Sequence, residues 1–214
     1  MDWSKYGVYD FPATVKEIQK RNGGRKVAMV GHSQGTTQTY AGMGIIPQWY
    51  DDNVSVGALM GPCTTPGQDY FIPMYTYENM KWFIENDIWV MVGPNWEEDK
   101  AKIYGTNKTG PVNPAPQSVQ DLIPGIEHLP NNPLQAVAAY AQTSLSNRFQ
   151  RYNPNWFSEP LERPKAELMD YSLVREMKVA MYVGLFDATC PLVKSEEQRI
   201  NMGETVAHYV VAPW

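Results

Sequence analysis

At 214 residues with 43% apolar side chains, the chain is long enough to bury a sizeable core and reads as globular. A formal charge of −5 and the lack of any Lys/Arg-rich block exclude the electrostatic footprint of a nucleic-acid binder. No apolar run approaches the roughly 20 residues that span a bilayer, and residues 1–20 hold acids, a proline and polar side chains where a signal peptide needs an apolar stretch.

Residues 10–22, "DFPATVKEIQKRN", predict a helix: Asp10 stands at the N-cap, Pro12 in the first turn, and Phe11, Val15 and Ile18 recur along one face. Gly23 and Gly24 end it. Lys26 to Val30 is a short apolar run without alternation, the pattern of a strand buried on both faces of a parallel sheet. A turn around Ser33 leads into a helix over 34–44, and "VSVGALM", 54–60, reads as a second buried strand, completing a β-α-β unit. From about Cys63 to Tyr171 the pattern changes to helical segments broken by Pro, Gly and Asn, with helices expected over 76–86 and 133–146 and an irregular loop over 105–116. Sheet character returns with a strand over 177–186, a surface helix in "LVKSEEQRINMG", and a fourth strand over 205–214. The fold class expected is therefore α/β, a mostly parallel sheet formed by residues 1–64 and 172–214, interrupted by a mainly helical insertion over 65–171 that would sit as a cap.

Gly31-His32-Ser33-Gln34-Gly35 fits G-x-S-x-G, the nucleophile elbow of α/β-hydrolases. Such a turn lifts a serine hydroxyl clear of the sheet's carboxyl edge, and both flanking glycines, Gly31 and Gly35, are expected to avoid collision with neighbouring backbone. It also sets the N–H of Gln34 at a helix N-terminus, where an oxyanion would form. A serine needs a base to take its proton, and that base needs a carboxylate to hold it, in the chain order Ser, Asp or Glu, His. Asp187, after the third strand, stands where the acid belongs; its other reading is the cap of the helix beginning near Pro191. None of the three histidines suits the base: His32 is inside the elbow, His128 precedes the acid, and His208 falls in the middle of a strand.

Cys63 and Cys190 fit neither a zinc site nor a redox CxxC pair, and they stand either as two thiols or as one bond, both falling just after strands at the same sheet edge. Neither metal nor cofactor is expected. Two sequons, Asn53-Val54-Ser55 and Asn107-Lys108-Thr109, matter only on a secretory route. The aromatic and Met residues of the insertion, among them Met74, Tyr75, Met80, Trp82, Phe83, Trp89 and Met91, suit either an apolar pocket or the insertion's own core.

The stretch "WSKYGVYDFPATVKEIQKRNGGRKVAMVGHSQGTT" resembles the acid lipase family of α/β-hydrolases, which includes gastric lipase, lysosomal acid lipase and steryl ester hydrolases. "PLQAVAAYAQTSLSNRFQRYN" is similar to that family's cap helix, and "YSLVREMKVAMYVGLFDATCP" to its strand and acid loop. The resemblance implies Ser33 as nucleophile, Gln34 as an oxyanion donor and Asp187 as triad acid, and it places the triad histidine on a loop beyond Trp214. It also places the family's early strands, with the loop giving the second oxyanion donor, before residue 1, so the chain reads as an internal piece of a longer lipase-like protein. The implied substrate is a triglyceride or steryl ester met at a membrane or lipid-droplet surface, and the implied compartment is secreted or lysosomal. A hydrolase fold that binds a lipid or a protein partner without chemistry is the alternative.

Overall fold

The computed structural model of the chain describes residues 2–67, 76–106, 113–121, 123–127, 132–157 and 166–213. Four parallel strands form its central sheet: β1 (Val27–His32), β2 (Val54–Met60), β5 (Lys178–Gly184) and β6 (Val206–Ala212), side by side in the order β1-β2-β5-β6. Between β2 and β5 a short antiparallel pair, β3 (Val90–Met91) and β4 (Asn132–Pro133), lies in a largely helical region. The helices of three turns or so are α1 (Phe11–Asn22), α2 (Gln34–Ile45), α4 (Tyr77–Glu85), α5 (Trp96–Ile103), α6 (Leu134–Ser146) and α7 (Leu192–Met202), and α3 (Pro47–Asn53) is shorter. The topology is α/β, a parallel sheet with a largely helical region between β2 and β5.

The first helix starts earlier than its sequence pattern predicts. A turn at Trp3–Lys5 and a π-helical stretch at Tyr6–Asp10 run directly into α1, so Asp10 has helical dihedrals and makes no capping hydrogen bond. The cap is Asp2, whose Oδ1 accepts from the Ser4 N–H at 2.9 Å and from the Ser4 hydroxyl. At the other end Gly23 adopts a left-handed conformation and its N–H closes on Gln19 O, the glycine stop expected from sequence. Helix α3 carries no amphipathic run long enough to announce it, and sequence reading leaves it out.

Two apolar cores result. One joins the sheet to the N-terminal helices through Trp3, Val15, Tyr40, Met43, Tyr50, Leu59, Val179, Met181 and Val183. The other lies within the insertion and holds Met80, Trp82, Phe83 and Met91 together with Ile103, Trp156 and Phe157. Those four sequence-selected residues are thus core side chains, while Trp89 is 46% exposed and Met74 and Tyr75 lie outside the described residues. Helix α6 belongs to both cores: Ala136 and Ala139 face the sheet side, and Leu134, Ala138 and Ala141 face the insertion. Its small side chains admit close packing on two sides at once. Phe149, Met169 and Tyr171, also from residues 65–171, pack into the sheet core, with Phe149 stacked on Trp3 at 5.3 Å.

The sheet is covered on one face. Val30 on β1 is 70% exposed, and Val56 and Met60 on β2 are 38% and 40% exposed. The register places them with Ala180 and Tyr182 of β5 on a face that no helix covers among the described residues. The expectation of strands buried on both faces therefore fails for β1 and half of β2.

Candidate active site

Ser33 follows β1 directly and precedes the first residue of α2. Its backbone stands at φ 51°, ψ −119°, a conformation that costs a non-glycine residue on the order of 1–3 kcal/mol. The neighbourhood imposes it: the Ser33 N–H donates to Met60 O at 3.0 Å on one side, and Ser33 O accepts from the Thr36 N–H at 2.8 Å on the other. The chain must turn from sheet to helix within this one residue. The side chain is exposed at the carboxyl edge of the sheet. The Gln34 N–H stands at the first position of a 12-residue helix, among the donors that have no partner inside the helix.

The two glycines of the motif differ. A Cβ at Gly31 would lie 3.2 Å from the backbone C and O of Gly35, so Gly31 is required by close approach. A Cβ at Gly35 would meet nothing within 4 Å, so the collision expected there is absent among the described residues.

Asp187 lies three residues beyond β5 at the same edge, half-buried. Its Oδ1 accepts from the N–H groups of Thr189 and Cys190, both at 2.9 Å. Its Oδ2 has no partner among the described residues and points past Gly61, where an added Cβ would lie 3.6 Å away. The cap reading of Asp187 fails, because α7 has Pro191 at its N-cap and no side-chain cap; one oxygen of Asp187 anchors the loop before the helix and the other is open among the described residues. Because β2 lies between β1 and β5, Ser33 and Asp187 are separated by two strand spacings, about 10 Å. A base serving both groups would have to stand between these two strand ends.

No described histidine fills it. His32 precedes Ser33 and is exposed on the opposite side of β1 from the elbow's helix. His208 pairs in register with Ala180, four residues below the end of β5, which sets it roughly 13 Å beneath the edge, with its ring 5.8 Å from that of Tyr182. His128 lies outside the described residues.

Sequence reading left the cysteines open; they are bonded. Cys63, three residues after β2, joins Cys190, three residues after Asp187, with a Cα–Cα distance of 5.4 Å. The signal present in the sequence was their equivalent position just after strands, β2 and β5, that prove adjacent and parallel in the sheet. Missed altogether were Thr36 and Thr37. Thr36 Oγ1 donates to Ser33 O at 2.6 Å and accepts from the Cys63 N–H at 2.9 Å, while Thr37 Oγ1 donates to Cys63 O at 2.7 Å. The Tyr140 hydroxyl donates in turn to Thr37 Oγ1 at 3.0 Å, and burial pushes that phenol's pKa up, keeping the donor proton in place. A threonine-rich helix start reads as weak helix propensity in sequence, whereas here its hydroxyls hold the neighbouring loop.

Among the described residues, no group of three or more His, Cys, Asp or Glu side chains is placed to hold a metal, and no helix is long and apolar enough to cross a membrane.

No protein-family model and no curated protein sequence matches the chain. Solved structures similar to it include a thermophilic esterase from Thermogutta terrifontis, with 12% identity over 99% of this chain and 62% of that one at a TM-score of 0.42. An esterase from Exiguobacterium antarcticum gives 13% identity over 99% of this chain and 64% of that one, at 0.41. A peroxisomal α/β-hydrolase from Saccharomyces cerevisiae gives 13% over 99% and 52%, at 0.40. The chain thus spans between about half and two thirds of these proteins. The α/β fold class stands on the chain's own parallel sheet and helices.

Proposed function

We propose that this chain carries the nucleophile and acid of a serine ester hydrolase. The observation that supports it best is Ser33 itself: an exposed hydroxyl on a strained single-residue turn between a parallel strand and a helix, with a half-buried carboxylate two strands away on the same edge. Strain of this kind is retained where a function uses it.

In this reading a base takes the Ser33 proton, and Oγ attacks the ester carbonyl. The tetrahedral oxyanion is met by the Gln34 N–H at the α2 N-terminus. Collapse expels the alcohol, leaving an acyl-enzyme that water hydrolyses by the same steps in reverse order. Asp187 Oδ2 holds and orients the base. The base that the acid lipase resemblance implies is a histidine; His32 and His208 do not stand beside Ser33, and His128 lies outside the described residues. The substrate class, esters of glycerol or sterols with fatty acids, follows from the acid lipase resemblance of "KVAMVGHSQGTT" and of the acid loop, as does a lipid surface as the place of action.

A fluorophosphonate probe tests the assignment. With imidazole added to stand in for the base, labelling at Ser33 that vanishes in Ser33→Ala is the expected result; a label that persists in Ser33→Ala, or that never maps to Ser33, rejects it. A lipid- or partner-binding role without chemistry then becomes the reading to pursue.

A further inference from the structure

The hydrogen bonds around Cys63 form a continuous path between the two ends of the candidate site. Starting at the elbow, Ser33 O accepts from Thr36 Oγ1, and Thr36 Oγ1 accepts from the Cys63 N–H. Thr37 Oγ1 holds the other side of the same residue through Cys63 O, so that Cys63 is clamped at both N–H and C=O by adjacent threonines of α2. The disulfide carries the path to Cys190, and the Cys190 N–H donates to Asp187 Oδ1. Ser33 and Asp187 are thereby joined by three hydrogen bonds and one covalent bond across β2. A second, parallel tie runs between the same loops, from the Gly67 N–H to Thr189 O at 2.8 Å.

We infer that Thr36 is a positioning residue, which works through the Cys63–Cys190 bond to hold the acid loop, and with it Asp187, in register with the nucleophile elbow. The physical case is one of directness. Asp187 sits on a loop whose neighbours Leu185 and Phe186 are exposed, and strand pairing ends at Gly184, so the sheet alone does not fix the carboxylate. A catalytic carboxylate must be held within a fraction of an ångström to orient its base. The covalent bond supplies that constraint at the residue whose N–H holds Asp187, and Thr36 anchors its far end to the strained turn. Because the link is a disulfide, the site is also sensitive to reduction: cutting it leaves Asp187 Oδ1 with its two loop amides and leaves the Gly67–Thr189 hydrogen bond to join the two loops.

The inference rests on reading Ser33 and Asp187 as nucleophile and acid, yet the mechanical link is measurable apart from it. Amide hydrogen exchange at Thr189 and Cys190 in the oxidised 214-residue chain is compared between the parent, Thr36→Val and Thr36→Ser. Loss of one hydrogen bond predicts exchange at these two amides about fivefold faster in Thr36→Val, with Thr36→Ser close to the parent because it keeps the hydroxyl. In a Cys63→Ala/Cys190→Ala background the same Thr36→Val change is expected to alter those amides much less, since only the Gly67–Thr189 hydrogen bond then joins the loops. Equal exchange in Thr36→Val and parent, or an effect of the same size with and without the disulfide, overturns the inference. If the disulfide-free chain does not fold, as judged by circular dichroism, the Val-against-Ser contrast in the oxidised protein decides alone. Fluorophosphonate labelling of Ser33 with imidazole added serves as the separate readout: labelling still absent from the parent rejects the catalytic reading while the exchange result stands or falls independently.

Discussion

A methyl group added at Gly31 would press on the Gly35 carbonyl at 3.2 Å and the Thr36 N–H at 3.3 Å, all rigid backbone, whereas one added at Gly35 would enter open space. Gly31→Ala is therefore expected to destabilise by roughly 1–3 kcal/mol and to suppress labelling of Ser33. Gly35→Ala, in the first turn of α2, is expected to be neutral or stabilising by up to about 1 kcal/mol. Urea unfolding of the two variants measures the contrast, and equal losses would show that the motif's glycines act alike after all. The base carries a second expectation at this scale. With Ser33 exposed and no described histidine in reach, added imidazole should raise the rate of Ser33 phosphonylation at least about tenfold, a fraction of what a positioned base contributes. The same imidazole should do nothing for Ser33→Ala, and indifference of the parent to imidazole would mean that the base position is closed. The elbow was legible because its chemistry is local, five consecutive residues between a strand and a helix. The threonine clamp was not, because its partner Cys63 is 26 or 27 residues away and nothing in "GTTQT" names it.

Asp51 shows the same limit at the level of elements. Its carboxylate is buried at the end of α3 and accepts from the N–H groups of Arg175, Glu176 and Met177 at 2.8 to 3.1 Å, fixing the chain as it enters β5. The partners are more than 120 residues distant in sequence, so an acid in "WYDDN" reads simply as part of a polar stretch. Asp51→Ala leaves three amides without their acceptor and is expected to cost roughly 2–4 kcal/mol of stability by urea denaturation. A loss under about 0.5 kcal/mol would mean that water replaces the carboxylate at no penalty. The strands and long helices were legible for the opposite reason: their apolar periodicity is written within ten residues or so, and β2 spans the predicted 54–60. Helix starts were less so, because Asp10 has the right chemistry for a cap but the segment before it is already helical, its turns tied to α3 through the Tyr50 hydroxyl donating to Gly7 O at 3.0 Å. The first sequon behaves likewise: Asn53 donates to Trp49 O and accepts from Gln19, so a glycan there would break two contacts that the tripeptide does not reveal.

Taken whole, the molecule buries one side of its sheet and leaves the other to solvent. Parallel sheets are normally covered on both faces, because their strands are apolar throughout and every connection brings a covering element. Here the N-terminal helices, α2 and α7 share the face of Val27, Leu59, Val179 and Met181, and the face carrying Val30, Val56 and Met60 is open among the described residues. Among the described residues β1 is also an edge strand, so its open apolar face lies beside backbone groups that no described strand pairs, the combination that invites association. The 214-residue chain is therefore expected to bind a hydrophobic dye such as ANS and to self-associate as its concentration rises. A Val30→Lys substitution places a charge at the most exposed point of that face without touching the core, and it should reduce dye binding and shift light-scattering mass toward 24 kDa. Val15→Lys, at a buried position of the opposite face, should instead unfold the chain and increase dye binding. If the parent is monomeric and dye-silent at high concentration, the open face is covered in solution, and the packing argument for a bare sheet fails.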